Sequence, residues 1–104
     1  MVIVIVSHIV RPGAEEAARH RLEANAERMM RQPGILFRHT GRGSAEDELV
    51  TVTGWASPEH RAAWDRVRAA EPPPGEMGDV YTSWSVTDVK IFDARSAPRA
   101  GGMT

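Results

Sequence analysis

The chain opens with a strand that is apolar on both faces. Residues 2–10 read V-I-V-I-V-S-H-I-V. Side chains alternate across a strand, so Val2, Val4, Val6, His8 and Val10 share one face and Ile3, Ile5, Ser7 and Ile9 the other. A strand with one wet face alternates apolar with polar; this one needs cover on both sides. The pattern then changes period. Ala14, Ala18, Leu22, Ala26 and Met29 recur at helical spacing and predict a helix over residues 14–31. Glu15 and Glu16 open it and Arg28 and Arg31 close it, as the helix dipole favours, and Pro33-Gly34 ends it.

A second strand is predicted over residues 35–40, with Ile35, Phe37 and His39 on one face and Leu36, Arg38 and Thr40 on the other. Residues 41–47 form a polar hairpin loop, and E-L-V-T-V-T-G-W (48–55) is a β-rich third strand. Ser57-Pro58-Glu59 starts a second helix with a serine cap and a proline in the first turn. That helix runs to about Ala70 and turns His60, Ala63, Trp64 and Val67 inward. Pro72-Pro73-Pro74-Gly75 stops it. Residues 80–92 form a long last strand, with a bend or bulge expected near Thr87-Asp88.

The order strand, helix, strand, strand, helix, strand predicts an α+β, ferredoxin-like fold: a four-stranded antiparallel sheet with both helices on one face. Two helices leave the other face of the sheet bare. A second copy packed face to face is the expected cover, giving a homodimer, and the space between the two sheets is a natural place for a ligand. Residues 1–93 are read as one domain and residues 94–104, small, polar and Gly-rich, as a frayed tail.

Composition narrows the function. At 104 residues one domain is expected, and a net charge of -1 supplies no field that would draw the chain to nucleic acid or an anionic membrane. With no Cys there is no disulfide, thiolate metal site or Cys nucleophile. The four His are scattered without carboxylates at ligand spacing, so no metal is expected. No Gly-rich loop follows a strand in the way a phosphate site needs. The apolar run at residues 2–6 is too short to span a membrane and lacks a basic flank. The expectation is a soluble, cytoplasmic protein that works without a cofactor.

Three stretches carry a family resemblance: V-S-H-I-V-R-P-G (6–13), M-R-Q-P-G-I-L-F-R-H-T (30–40) and T-V-T-G-W-A-S-P-E-H-R-A-A-W (51–64). The third is the most specific, with a strand ending in Trp, a helix cap and a second Trp within the helix. In these stretches the chain resembles the antibiotic biosynthesis monooxygenase family of dimeric α+β barrels. The resemblance covers roughly residues 2–68 and the position of the last strand. It implies one of several activities: cofactor-free oxygenation of aromatic polyketides, oxygenation of small quinols, or haem degradation. Polyketide cyclases of the same fold stand close by. In the anthrone oxygenases an Asn of the first strand and a Trp ending the third strand line the pocket; these positions fall on Ser7 and Trp55. Haem-degrading members use an Asn of the first strand, a helical Trp and a haem-ligating His after that helix. Here Trp64 stands, Val6 or Ser7 occupies the Asn position, and the following R-V-R-A-A-E-P-P-P-G contains no His, which argues against haem.

Cofactor-free oxygenation needs an electron-rich aromatic substrate, a base to deprotonate it, and a dry pocket with donors that hold the anion. His8 and His39 are the candidate bases, since histidine titrates near neutral pH. Ser7, Thr51 and Tyr81 are candidate hydrogen-bond partners, and Phe37, Trp55, Trp64 and Trp84 candidate walls for a flat ligand. Ser7, His8, His39 and Trp55 form the expected catalytic set, lining or bordering one cavity between the sheet and its helical or loop cover. Ser7 and His8 point to opposite faces of an ideal strand, so one pocket takes one of them; the resemblance selects Ser7 and acid–base chemistry selects His8, and Ser7 is taken as the pocket residue with His8 in reserve. Each residue also has a plainer role: His8 as a structural or interface histidine, His39 in solvent, Ser7 in a local hydrogen bond, and Trp64 or Trp55 in the core. His20 and His60 lie on helices and are expected to be non-catalytic. Three functions stay open on the sequence: oxygenase, acid–base cyclase or isomerase, and non-catalytic ligand-binding protein.

Overall fold

The strand that is apolar on both faces becomes β1 (Val2–Val10) and takes a central place in the sheet. The computed structural model describes residues 1–73 and 75–98. After β1 come α1 (Glu15–Met29), β2 (Ile35–Arg42), β3 (Glu48–Trp55), α2 (Pro58–Ala70), a single turn α3 (Met77–Val80) and β4 (Tyr81–Lys90). The strands pair antiparallel in the order β2–β3–β1–β4. This is the predicted four-stranded ferredoxin-like sheet, with one added helical turn. Residues 94–98 of the expected tail carry no regular structure. Its last residues, 99–104, and Pro74 of the expected proline loop lie outside the described residues.

The helices cover the even face of β1. Val2 and Val4 join Met29, Trp55 and Trp64 in one buried cluster. Val10 joins Ala18, Val80 and Tyr81 in a second. Local chemistry sets α2 against the sheet. Ser57 caps it by accepting from the His60 backbone N–H, and its Oγ lies 2.7 Å from His60 Nδ1. The His60 ring fills the space beside Gly34, whose φ of +84° suits glycine. Ala56 N–H donates to the Gly34 carbonyl at 2.8 Å and ties the two chain turns together.

Two register details depart from simple alternation. β2 slips between Ile35 and Phe37, so Ile35 packs on the helix-side core while Arg38, opposite Thr53, also faces the helices. Phe37 and His39 therefore lie on the opposite face from Ile35. The last strand bulges at its start, where register shifts between Ile9 and Val10, and not near Thr87-Asp88 as expected. The extra residue, Thr82, donates from its hydroxyl to the Ile9 carbonyl, and Tyr81 turns inward opposite Val10. The cause lies outside the strand. α3 delivers the chain beside β1, where Arg11 N–H donates to the Val80 carbonyl at 2.8 Å, and the bulge absorbs the mismatch.

Among the described residues nothing packs over the odd face of β1. Ile3, Ile5 and Ile9 lie there with Val50 and Val52 of β3, Phe37 of β2 and Val89 of β4. Ile5 is 36% exposed and Val89 39%.

Candidate active site

A cavity of about 490 Å3 opens between the sheet and its helices, within the size range of small-molecule sites. It lies between the sheet and its helical cover, the place expected for the site residues, and not in the space between two sheets. The cavity opens towards β4, whose residues beyond Tyr81 are exposed.

The floor is the even face of the sheet. β1 contributes Val4, Val6 and His8, β3 contributes Thr51, Thr53 and Trp55, and β2 contributes Arg38. Trp64 of α2 lies beside Trp55, with ring centroids 6.3 Å apart and planes 25° from parallel. Both indoles are buried, yet both border the cavity. The Arg28 guanidinium lies over the Trp64 ring, 5.3 Å from its centre. Tyr81 and Trp84 come from β4, Tyr81 buried and Trp84 46% exposed at the mouth. Pro72, Pro73 and Met77 form the rim between α2 and α3.

Of the two neighbours Ser7 and His8, the cavity takes His8. Strand alternation puts Ser7 on the uncovered face, where its hydroxyl donates to Glu48 Oε2 at 2.5 Å. That bond holds the Glu48 carboxyl below the usual carboxylate range. His39 and Phe37 also fall away from the cavity, because the slip in β2 turns both to the outer face; their rings stack there, 5.5 Å apart. The structure thus brings together His8, Thr51, Trp55, Trp64, Tyr81 and Trp84, and separates Ser7, Phe37 and His39 from them.

His8 is 8% exposed, and its ring lies 4.6 Å from that of Tyr81. Burial lowers its pKa below the ordinary histidine value of 6.5; the Leu49 backbone acts the other way, and the charges of Arg38 and Arg21 lower it further. The imidazole is therefore neutral at neutral pH, with one nitrogen available as an acceptor. Its Nδ1 is buried without a well-formed hydrogen bond. Burial raises the Tyr81 pKa, with Arg21 and Arg38 opposing, so the phenol stays a donor. Thr51 Oγ1 lies 3.3 Å from Thr40 Oγ1, and Thr53 donates to the Val4 carbonyl. Among the described residues no group of His, Cys, Asp or Glu is arranged to hold a metal ion. A second, wider hollow beside the start of α1 is lined by Glu15, Glu16, Arg19, Arg42 and Asp47; it has no aromatic wall and no histidine.

The residues that the sequence reading missed are the arginines. Arg21, Arg38, Arg61 and Arg68 all border the cavity. Arg38 faces the cavity only because of the register slip between Ile35 and Phe37, which the strand pattern does not announce. The others sit on helices, where an arginine is ordinarily a solvated residue.

A buried histidine and paired indoles border one cavity between a four-stranded antiparallel sheet and its helices, in a protein of the ferredoxin-like α+β class. The family model for antibiotic biosynthesis monooxygenases matches residues 1–71, and the chain belongs to that family. No curated protein matches the sequence significantly. Among solved structures, Rv0793 from Mycobacterium tuberculosis is 25% identical, with 91% of this chain and 98% of that one covered and a TM-score of 0.72. The haem-degrader MhuD from the same organism, solved with two haems in its active site, is 23% identical over 92% of this chain and 100% of its own, also at 0.72. A candidate antibiotic biosynthesis monooxygenase from Deinococcus radiodurans reaches a TM-score of 0.77 at 13% identity, with 95% and 100% covered. At such identities the last two likenesses speak to the fold.

Proposed function

We propose that this protein is a cofactor-independent monooxygenase that oxidises an aromatic, polyketide-like metabolite of the anthrone or quinol type. The observation that carries the reading is His8: a buried, neutral imidazole in a cavity walled by two indoles. A flat ring system lies along Trp55 and Trp64, with Trp84 at the entrance. His8 takes the acidic C–H or O–H proton of the substrate. Tyr81 and Thr51 donate to the oxygen on which negative charge develops. The electron-rich carbanion passes one electron to dioxygen, and the resulting radical pair joins as a peroxide at the same carbon. Loss of water across the O–O bond leaves a carbonyl, so an anthrone and one dioxygen give a quinone and one water. The apolar floor of Val4 and Val6 keeps bulk water from that intermediate.

Haem fits the residues poorly as a substrate. The rim after α2 offers Pro72, Pro73, Gly75 and Glu76, and the whole segment from Glu71 to Val80 contains no His to ligate iron. The odd face of the sheet, rich in Ile and Val, is the surface for a second copy, which completes a dimeric α+β barrel and leaves both cavities open on the outside. The test of the activity is oxygen uptake with an anthrone substrate, in air and under nitrogen. Protein-dependent uptake that His8→Gln abolishes supports the oxygenase. A product formed equally under nitrogen assigns acid–base cyclisation or isomerisation instead, and inertness of the folded protein across a panel of anthrones and quinols assigns simple binding.

A further inference from the structure

Arg38 is an inward-facing cation in a place that ordinarily holds none. It sits on β2 opposite Thr53, borders the cavity and is half-buried. Among the described residues its Nη1 reaches the Met29 sulfur, at 3.6 Å. Among the described residues no carboxylate lies within salt-bridge distance of it. Buried charges are normally paired, because desolvation of an unpaired ion is costly. The other charges around the cavity do not answer it. Asp65 is engaged by Arg61 and lies 3.6 Å from Arg68. The Glu76 side chain is taken up in the capping box of α3. The lining thus has an excess of positive charge, and a second group, His8 Nδ1, is buried there without a well-formed hydrogen bond.

We propose that the cavity takes an acidic aromatic ligand, one carrying a carboxylate or an ionised phenol, and that Arg38 receives the anionic group. The proposal rests on the oxygenase reading and narrows its substrate class. The planar guanidinium offers paired donors that match a carboxylate. The ring system then extends over Trp55 and Trp64, and the anion lies within the field that acts on both His8 and Tyr81. The anionic group would ease protonation of His8 once the ligand is bound, making the histidine a better base inside the complex than in the empty cavity.

The test compares two probes with the same ring, anthraquinone carboxylate and its neutral carboxamide, by quenching of tryptophan fluorescence. The carboxylate is expected to bind the unmodified protein about tenfold more tightly or better, the gain of a charge-assisted contact. Arg38→Gln should remove that preference while still binding the amide, and Arg38→Lys should restore most of it. Ligand-detected discrimination in the unmodified protein also stands without any variant, should Arg38→Gln fail to fold. Equal affinities for the two probes, or a preference that survives Arg38→Gln, would overturn the anion subsite and leave the aromatic cavity intact. Failure of both probes to bind would overturn the subsite together with the aromatic-substrate reading beneath it.

Discussion

Replacing Trp55 by Phe separates what packing contributes from what the cavity wall contributes. Trp55 is 1% exposed, stacks against Trp64 and borders the cavity. The change removes roughly 40 Å2 of buried apolar surface, or about 1 kcal/mol at about 25 cal/mol per Å2. It also leaves roughly 40 Å3 of empty volume, worth about 1 kcal/mol more if nothing relaxes. Because the lost volume adjoins an existing cavity, the second part is smaller here, and the expected loss is about 1–2 kcal/mol. For a chain of this length that corresponds to a melting temperature lower by roughly 5–15 °C. Melts followed by near-ultraviolet circular dichroism measure it at fixed protein concentration, since any self-association makes the midpoint depend on concentration. At a temperature where both forms are folded, the variant should also bind an anthraquinone probe more weakly. A melting temperature within about 2 °C of the parent would refute the packing argument. A large drop with unchanged ligand affinity would refute the wall.

Three further outcomes follow from the same coordinates. His8 has a folded pKa below 6.5, so its neutral form is favoured by the fold; the stability it contributes is full above 6.5 and is lost as pH falls towards the folded value. Thermal melts from neutral to mildly acid pH should decline more steeply for the parent than for His8→Gln, and parallel slopes would contradict the burial argument. Gly34→Ala places a Cβ against the His60 ring at a φ of +84° and should destabilise by about 1–3 kcal/mol in urea unfolding; an unchanged midpoint would mean that α2 is not anchored there. Ile5→Glu puts a charge in the middle of the uncovered face and should convert a dimer into a folded monomer in sedimentation velocity, whereas a parent protein that is already monomeric at micromolar concentration would remove the proposed partner copy.

The fold was legible because each element carries its own periodicity. The two-sided apolar strand called for cover on both faces of the sheet, the Ser57-Pro58 start placed the beginning of α2 to the residue, and the order of elements selected the topology. The cavity was only half legible, for reasons of register. Alternation forced a choice between Ser7 and His8, and the pattern of β1 alone does not say which face the helices cover. The slip at Leu36 has no signature in a strand of six to eight residues, yet it turns Phe37 and His39 outward and leaves Arg38 facing in. The bulge at Thr82 depends on where α3 delivers the chain, a tertiary fact that strand propensity near Thr87-Asp88 does not contain. Trp64 illustrates a false alternative: helical spacing assigned it to the core, and it does pack there, but its neighbour Trp55 and the wedge towards β4 also make it a wall.

The most direct measurement of the central claim follows the fate of dioxygen. An anthrone is turned over under a heavy-isotope dioxygen atmosphere, and the quinone product is weighed by mass spectrometry after correction for oxidation without protein. The account predicts that the protein-dependent product carries one heavy oxygen atom and that His8→Gln reduces it to the background. Protein-dependent product that carries no label, or that forms at the same rate under nitrogen, would contradict it.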